Sequence, residues 1–221
     1  MDNSKRGYLL IGTGITLSRE DCPKTLEERE RMSRIPYASV VGAIMYTMTC
    51  TRPNVAYTLG VTSRYQSNLG EEYWKVVNTI LKYLRRTKDQ FLIYGDSELK
   101  LESYTNASFS SDRDDSKSIS GYVFILNGGV VSWKSSRQAI VADSVTEAEY
   151  IAVSEAVWMK KFLTELGIVP SIEEIIERGD IEIQKVDGKE NAADPFTKAL
   201  GAKKFDKHKW KLGIKYKSDW L

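Results

Sequence analysis

The sequence predicts an α/β protein with a small helical region ahead of a region that forms a sheet. Three observations support this class. Apolar residues recur at helical spacing from 36 to 87, and after Thr87 the spacing changes to that of short strands. An Asn-Gly-Gly sequence at 127–129, between two apolar runs, is a strong hairpin signal. Helical spacing then returns over 144–166.

Composition restricts the class of protein and its chemistry. The chain has 221 residues, 42% of them hydrophobic, and a formal net charge of +2, so we expect a folded protein. It has no run of about 18 apolar residues and no signal-peptide pattern, so we expect no membrane association and an intracellular location, in the cytoplasm or nucleus. Two cysteines without a CxxC pattern and one histidine rule out a zinc cluster. Oxygen ligands would favour magnesium or manganese.

We divide the chain into four segments. Residues 1–35 are polar and charged, and we predict a tail or linker there. Residues 36–95 are predicted to form the helical region, and residues 96–200 the domain that contains the sheet. Residues 201–221 are basic and aromatic without a clear period. The sequence leaves open whether this last segment packs on the domain or is an exposed remnant.

Three helices are predicted in the helical region. The first covers 38–50 and is so apolar that we expect burial on most sides. The second starts at Pro53, and the third starts after Gly70, with acidic residues at its beginning and basic residues at its end. That basic end, with Tyr73 and Tyr83, could contact a nucleic-acid backbone. Complementation of the helix dipole is the favoured interpretation.

A short strand ends the helical region, and the domain after it begins with three strands and a long helix, a β-β-β-α order. The predicted elements are strands at 91–94, 99–109, 119–126 and 130–134, the long helix at 144–166, a short helix at 172–178, a strand at 181–186 and a helical turn at 194–198.

The long helix opens with a pattern that separates two glutamates. Ser144 and Glu147 have the spacing of a capping box, in which each side chain accepts a hydrogen bond from the other residue's free backbone amide. Glu149 lies two positions further along, at the edge of the apolar face, and the capping pattern gives it no structural role. A carboxylate at such an edge is either a solvated surface group or a functional one, and the helix alone does not distinguish them.

Seven segments of the chain resemble the end of copia-type LTR retrotransposon Pol polyproteins, and they occur in that family's order. They are YASVVG at 37–42, CTRPNVAY at 50–57, LKYLRRT at 81–87, SISGYVF at 118–124, VSWKS at 131–135, TEAEY at 146–150 and ADPFTK at 193–198. The resemblance implies a reverse-transcriptase connection over 36–95 and, over 96–200, a ribonuclease H-like domain with a mixed sheet and flanking helices. The polymerase palm has no counterpart, so we expect no DNA synthesis.

The resemblance also implies a nuclease site in which about four carboxylates hold two divalent ions that activate water. Asn106 stands where the family has its first aspartate, and a neutral amide cannot replace an anion that bridges two cations. Glu149 and Asp194 match two of the other carboxylates and are the expected metal ligands. The strand that would carry the remaining aspartate has no counterpart.

The missing strand would leave one edge of the sheet unpaired. One hypothesis is that the strand at 181–186 fills the vacancy, which would bring Asp187 to the position of the lost aspartate and make it a candidate catalytic residue. The rival hypothesis is that two chains pair along this edge and form a homodimer.

The leading functional interpretation is a degenerate, truncated retroelement protein with a ribonuclease H-like fold and little or no nuclease activity. An alternative is a Mg²⁺-dependent endonuclease that cuts the RNA of RNA–DNA hybrids, with Asp187, Asp112 or Asp114 completing the site. The last two, with Asp115, belong to a polar turn between strands and are expected to be solvated. Mg²⁺ is therefore an expected cofactor only if activity remains.

A third interpretation is a domesticated module that binds nucleic acid, such as an RNA–DNA hybrid, or a protein partner without cutting. Four basic residues would suit phosphate contacts: Lys134, Arg137, Lys160 and Lys161. The net charge of only +2 gives this interpretation weak support.

Overall fold

A computed structural model describes residues 10–95, 101–165 and 184–219, without the side chains of residues 158–164. The described helices are α1 Leu26–Ser33, α2 Tyr37–Thr51, α3 Ala56–Thr62, α4 Glu71–Arg86, α5 Val145–Glu165 and α6 Ala202–Lys211. The described strands are β1 Gln90–Leu92, β2 Leu101–Ser108, β3 Ile119–Leu126, β4 Gly129–Arg137 and β5 Ile214–Tyr216. Among these helices, none combines the length and apolar character needed to cross a bilayer.

The sheet at the centre of the fold has the strand order β2-β3-β4, with both pairs antiparallel. A two-residue turn joins β3 to β4, and its residues Asn127 and Gly128 have φ values of 52° and 75°. Two consecutive positive φ values are the signature of a type I′ turn, which matches the twist of a hairpin. The predicted hairpin is confirmed, and the three predicted strands agree with β2, β3 and β4.

The described residues form two antiparallel sheets, whereas the resemblance implied one mixed sheet. The second sheet pairs β1 with β5. A further strand was expected at 181–186, but residues 181–183, like the predicted helix at 172–178, lie outside the described residues, and 184–186 have no regular secondary structure. Within the described part, side chains contact the outer edge of β2. Asn191 Nδ2 donates to Thr105 O at 2.7 Å, and the Ala107 amide donates to the carboxylate of Glu149.

The helical region has its own core between α2, α3 and α4. Residues that precede these helices also enter it, because Leu10, Ile11, Leu17 and Met32 are all buried there. The predicted tail at 1–35 therefore packs against the core over its described part. A capping box starts α1, in which Thr25 accepts from the Glu28 amide and Glu28 accepts from the Thr25 amide.

The expectation that the first predicted helix is buried on most sides is wrong. Helix α2 buries Tyr37, Val41 and Ile44, which share one face, while Met45 and Tyr46 are exposed. These buried positions are spaced by four and three residues, the period of a single helix face. High apolar content does not by itself surround a helix with neighbours, so one side of α2 faces solvent.

The two tyrosines of α4 point into the core. Tyr73 donates its hydroxyl to Ser18 O at 2.9 Å, and Tyr83 accepts a hydrogen bond from Asn54 Nδ2. Burial raises the pKa of Tyr83 to about 12, partly opposed by the bond from Asn54. Since both rings are buried, neither can contact a nucleic-acid backbone. The dipole interpretation fits the observed acidic start and basic end of the helix.

A second core lies beneath the sheet and includes the C-terminal segment. Phe196, Leu212 and Ile214 are buried there against Val123 and Val130 of the hairpin. Strand β5 pairs with β1, which places Lys215 opposite Phe91. The described part of the C-terminal segment is therefore packed on the fold, which answers the question that the sequence left open.

Candidate functional site

The site is built around Asp194, the first residue of a 3-10 turn, Asp194–Phe196, in which Pro195 is the second residue. The side chain of Asn191 fixes this turn in two ways. Its Oδ1 accepts from the Ala193 amide at 2.9 Å, and its Nδ2 donates to Thr105 O on β2 at 2.7 Å. The carboxylate of Asp194 is thereby held beside β2, fully buried.

Asn106 on β2 binds this carboxylate directly. Its Nδ2 donates to Asp194 Oδ1 at 3.1 Å and to Thr197 Oγ1 at 2.7 Å. A carboxylate at position 106 could donate neither bond. The amide therefore takes a structural role that the aspartate implied by the resemblance could not fill in its ionised form.

Two lysines neutralise the buried Asp194. Lys198 Nζ forms an ion pair with Oδ1, and Lys204 Nζ lies 3.4 Å from Oδ2. A buried carboxylate without partners would be costly, and removal of one partner from a buried pair is strongly destabilising. Both oxygens of Asp194 thus have ammonium partners.

Glu149, on the first turns of α5, is the second carboxylate of the site. Burial raises the pKa of Glu149, and this effect is partly opposed by the hydrogen bond from the Ala107 amide and by the charge of Lys198. Lys198 therefore acts on both carboxylates. The capping box predicted for Ser144 and Glu147 at the start of α5 is present in part. Ser144 Oγ accepts from the Glu147 amide at 3.1 Å, but Glu147 accepts from the Asp143 amide rather than from that of Ser144.

These residues do not fit a two-magnesium centre. Such a centre needs an excess of negative charge, whereas two carboxylates and two lysines give this cluster a formal net charge of zero. Among the described residues, no group of three or more histidine, cysteine, aspartate or glutamate side chains is arranged to hold a metal ion. A divalent cation would have to displace both ammonium groups.

Asp187, the candidate replacement ligand, lies in an exposed turn. Its Oδ1 accepts from the Lys189 amide at 2.8 Å, and its carbonyl accepts from the amides of Glu190 and Asn191. These hydrogen bonds, from nearby backbone amides to the side chain and the carbonyl of Asp187, stabilise a local turn. The turn leads to Asn191, so Asp187 is connected to the site through the backbone.

The predicted phosphate-binding residues of β4 form ion pairs within the domain. Lys134 Nζ lies 3.0 Å from Glu155 Oε2, and Arg137 pairs with Asp115. The other two predicted residues, Lys160 and Lys161, have side chains outside the described part of the chain.

The expectation that the turn between β2 and β3 is solvated is wrong for Asp112, which is only 5% exposed. Arg64 of the helical region binds its carboxylate, and Asp114 accepts hydrogen bonds from the Arg19 amide and the Tyr65 hydroxyl. Partners distant in sequence bury Asp112 and bind Asp114, which is partly exposed. Because Asp112 and Asp114 bind these residues of the helical region, their carboxylates would have to leave these partners to complete the nuclease site.

Sequence reasoning also missed Lys198 and Lys204 as site residues. Lys198 lies four residues after Asp194, a spacing that allows an ion pair on one side of a helical turn. That spacing was a usable signal. Lys204 comes from α6, whose packing the sequence did not predict, so no local pattern could have identified it.

The fold and the site together define an α/β protein whose carboxylate cluster is neutralised by its own lysines, and the comparisons with known proteins give its relationships. The chain is 36% identical to the retrovirus-related Pol polyprotein from transposon TNT 1-94 of Nicotiana tabacum, over 97% of this chain and 19% of that protein. It is 37% identical to the corresponding polyprotein from transposon RE2 of Arabidopsis thaliana, over 60% of this chain and 9% of that protein.

A third relative is the secreted RxLR effector protein 161 of Plasmopara viticola, 42% identical over 60% of this chain and 94% of that protein. The chain is therefore homologous to retrovirus-related Pol polyproteins from copia-type transposons. It spans about a fifth of the length of the tobacco member. No protein-family model and no solved structure matches it.

The alignment with the tobacco protein covers 251 positions, more than the 221 residues of this chain. The tobacco protein therefore has residues for which this chain has no counterpart. That difference is in the direction expected from the missing strand.

Proposed function

We propose that this chain is a ribonuclease H-like derivative of a copia-type Pol polyprotein that does not cut nucleic acid. The observation that carries the proposal is the neutralised carboxylate of Asp194, which has Lys198 and Lys204 on its two oxygens and the amide of Asn106 on one of them. A two-metal nuclease needs that carboxylate for its cations.

The convergence of three elements supports a ribonuclease H-like ancestry. Asn106 from β2, Glu149 from α5 and Asp194 from the 3-10 turn are the residues that the resemblance assigned to one site, and hydrogen bonds or shared charges connect all three. The first of them is a neutral amide in place of a carboxylate. The two carboxylates that remain are balanced by the two lysines, so the cluster has no excess negative charge.

The rival function, a Mg²⁺-dependent endonuclease, would need further carboxylate ligands. The candidates were Asp187, Asp112 and Asp114, and each of these carboxylates already has partners away from Glu149 and Asp194. Recruitment of any of them would break the local turn at Asp187, the buried ion pair of Asp112 or the hydrogen bonds of Asp114, which weighs against this function.

The test is cleavage of an end-labelled RNA–DNA hybrid in Mg²⁺ or Mn²⁺, with the full chain and its Glu149→Gln variant purified in the same way. We expect both proteins to leave the hybrid intact. Any trace activity should be equal in the two preparations, because it would come from contaminating nuclease. Metal-dependent cleavage by the wild type that Glu149→Gln abolishes would overturn the proposal.

A further inference from the structure

The lysines of this chain are concentrated near its C-terminus, and two of them, Lys198 and Lys204, pair with Asp194 in the carboxylate site. Residues 198–217 contain eight lysines and one aspartate, so the rest of the chain carries a net negative charge although the total is +2. A modest total charge therefore conceals a strongly basic segment. Such an asymmetry is the electrostatic footprint expected of a surface that binds polyanions.

Helix α6 directs part of this charge to solvent. Its apolar face buries Phe205 and His208, while Lys203, Lys207 and Trp210 are exposed. These exposed positions are spaced by four and three residues and therefore share one face. Like charges at such spacing destabilise a helix, so the fold retains an arrangement that costs stability.

The β1–β5 ribbon continues this face. Phe91 and Lys215 are directly opposite each other in the antiparallel pair, so their side chains lie on the same side of the ribbon. Lys215 Nζ is 4.8 Å from the ring centroid of Trp210, a cation–π contact that joins the ribbon to α6. Phe91 and Trp210 are 54% and 51% exposed.

We propose that the Trp210 surface, made of Phe91, Lys203, Lys207, Trp210 and Lys215, binds single-stranded nucleic acid. The lysines supply phosphate contacts, and the two exposed rings supply faces on which unpaired bases stack. A duplex keeps its bases stacked inside, so it could use the lysines but not the rings. This combination of charge and exposed aromatic rings favours a single strand over a duplex.

The existing ion pair on this surface does not block it. Lys207 pairs with Glu190, and both side chains are about half exposed. An exposed pair of this kind contributes little to stability, so a phosphate can compete for the lysine. Lys203 has no ion-pair partner among the described residues, and the partner of Lys215 is the Trp210 ring.

The proposal is tested by fluorescence anisotropy of the full chain with labelled oligo(dT) and oligo(rU) of about 12 nucleotides, within the range that one such platform covers. A duplex of the same length is the comparison. We expect tighter binding of the single strands. Trp210→Ala and Phe91→Ala should each weaken it about tenfold, the usual effect of removing one stacking ring.

Three further variants separate stacking from charge and from folding. Trp210→Phe keeps a ring and should retain most of the affinity. Tyr150→Ala removes an exposed ring from α5 and should leave binding unchanged. Lys203→Ala should lower the slope of log affinity against log salt by about 0.7, the release expected for one contact to a single strand.

Three outcomes would overturn the proposal. Equal affinity for single strand and duplex, with no effect of Trp210→Ala, would mean nonspecific attraction between charges. Binding to phosphatidylserine vesicles without binding to the oligonucleotides would assign the surface to lipid instead. Absence of binding at low salt, with the fold intact by circular dichroism, would exclude the surface as a polyanion site.

Discussion

The amide of Asn106 is the residue at which the site departs most clearly from a metal centre. Asn106→Asp should destabilise the protein by about 1–3 kcal/mol in the absence of divalent ions, because it removes two donated bonds and adds a negative charge beside buried Asp194. Millimolar Mg²⁺ should recover part of this loss, since three carboxylates bind a cation that two neutralised ones do not. Urea unfolding with and without Mg²⁺ measures both effects.

Asn106→Ala is the matched control for that experiment. It removes the same two hydrogen bonds without adding a charge, so it should be destabilised and should not respond to Mg²⁺. A wild-type protein stabilised by Mg²⁺ as strongly as Asn106→Asp would contradict the view that Lys198 and Lys204 occupy the place of the cation.

Glu149 gives the site a pH dependence of defined sign. Its pKa in the folded protein is raised, mainly by burial, so the folded state disfavours the ionised form and loses stability as the pH rises above the ordinary value of 4.5. Glu149→Gln removes this loss. The stability of the variant relative to wild type should therefore be greater at about pH 7 than at about pH 4, as measured by urea unfolding at both pH values.

Glu28→Gln should show the opposite sign. Hydrogen bonds from the Lys24 and Thr25 amides lower the pKa of Glu28, so its contribution is present above 4.5 and is lost as the pH falls through the folded pKa. This substitution should therefore cost stability at about pH 7 and little near pH 3. The same sign of pH dependence in both variants would refute the assignment for Glu149.

At the scale of elements, the contact between β3 and the Asp194–Phe196 turn depends on Gly121. A Cβ at this position would lie 2.7 Å from Phe196 Cβ and 2.9 Å from Thr197 Cγ2. Gly121→Ala should therefore push the turn away from the sheet and destabilise the fold by about 1–3 kcal/mol. Thermal or urea unfolding measures this cost, and an NMR shift of the Asn106 side-chain amide would report the displacement of Asp194.

Gly42→Ala is the matched control, because a Cβ at this position in α2 would meet nothing within 4 Å. Alanine is favoured over glycine inside a helix, so this variant should gain about 0.5–1 kcal/mol. Destabilisation of both variants by similar amounts would show that the cost at Gly121 does not come from the contact with the turn.

Elements governed by short-range rules were predictable from sequence. The hairpin turn at 127–128 needs two residues that tolerate positive φ, and Asn-Gly supplies them. The pairing of β1 with β5 could not be predicted, because each strand has three residues and about 120 residues separate them. Short strands carry too little periodicity to specify a distant partner.

The candidate site likewise contains residues that were predictable from sequence and residues that were not. Glu149 and Asp194 could be named from sequence because they belong to motifs that the family resemblance covers. Their neutralisation could not be predicted in full, since Lys204 reaches Asp194 only after α6 has packed beside the turn. Asp112 was misjudged for the same reason, because its partner Arg64 lies 48 residues earlier in the chain.

At the scale of the whole molecule, polar contacts that include one buried ion pair join the helical region to the sheet. Arg64 and Asp112 form an ion pair in which the aspartate side chain is almost completely buried, and Asp114 binds the Arg19 amide and the Tyr65 hydroxyl. Each contact connects the turn between β2 and β3 to residues before α4. Because separation of the two regions would expose an ion pair buried between them, we expect them to unfold together.

A double-mutant cycle on Arg64 and Asp112 tests this connection. Arg64→Ala leaves the buried Asp112 carboxylate with the Asp114 amide and, at 3.8 Å, the guanidinium of Arg137, and should cost about 3 kcal/mol in the free energy of unfolding. The double variant Arg64→Ala with Asp112→Ala removes that stranded charge and should be less destabilised than the sum of the single changes. Urea unfolding followed by tryptophan fluorescence and by circular dichroism should give coincident transitions in the wild type.

The exposed pair Arg31–Glu71, at 3.1 Å, provides the reference cycle, and its coupling energy should stay below about 1 kcal/mol. If the Arg64–Asp112 cycle gave a coupling as small as this reference, the buried pair would not hold the two regions together. Two separate transitions in the wild type would lead to the same conclusion, because the helical region would then unfold without breaking the sheet.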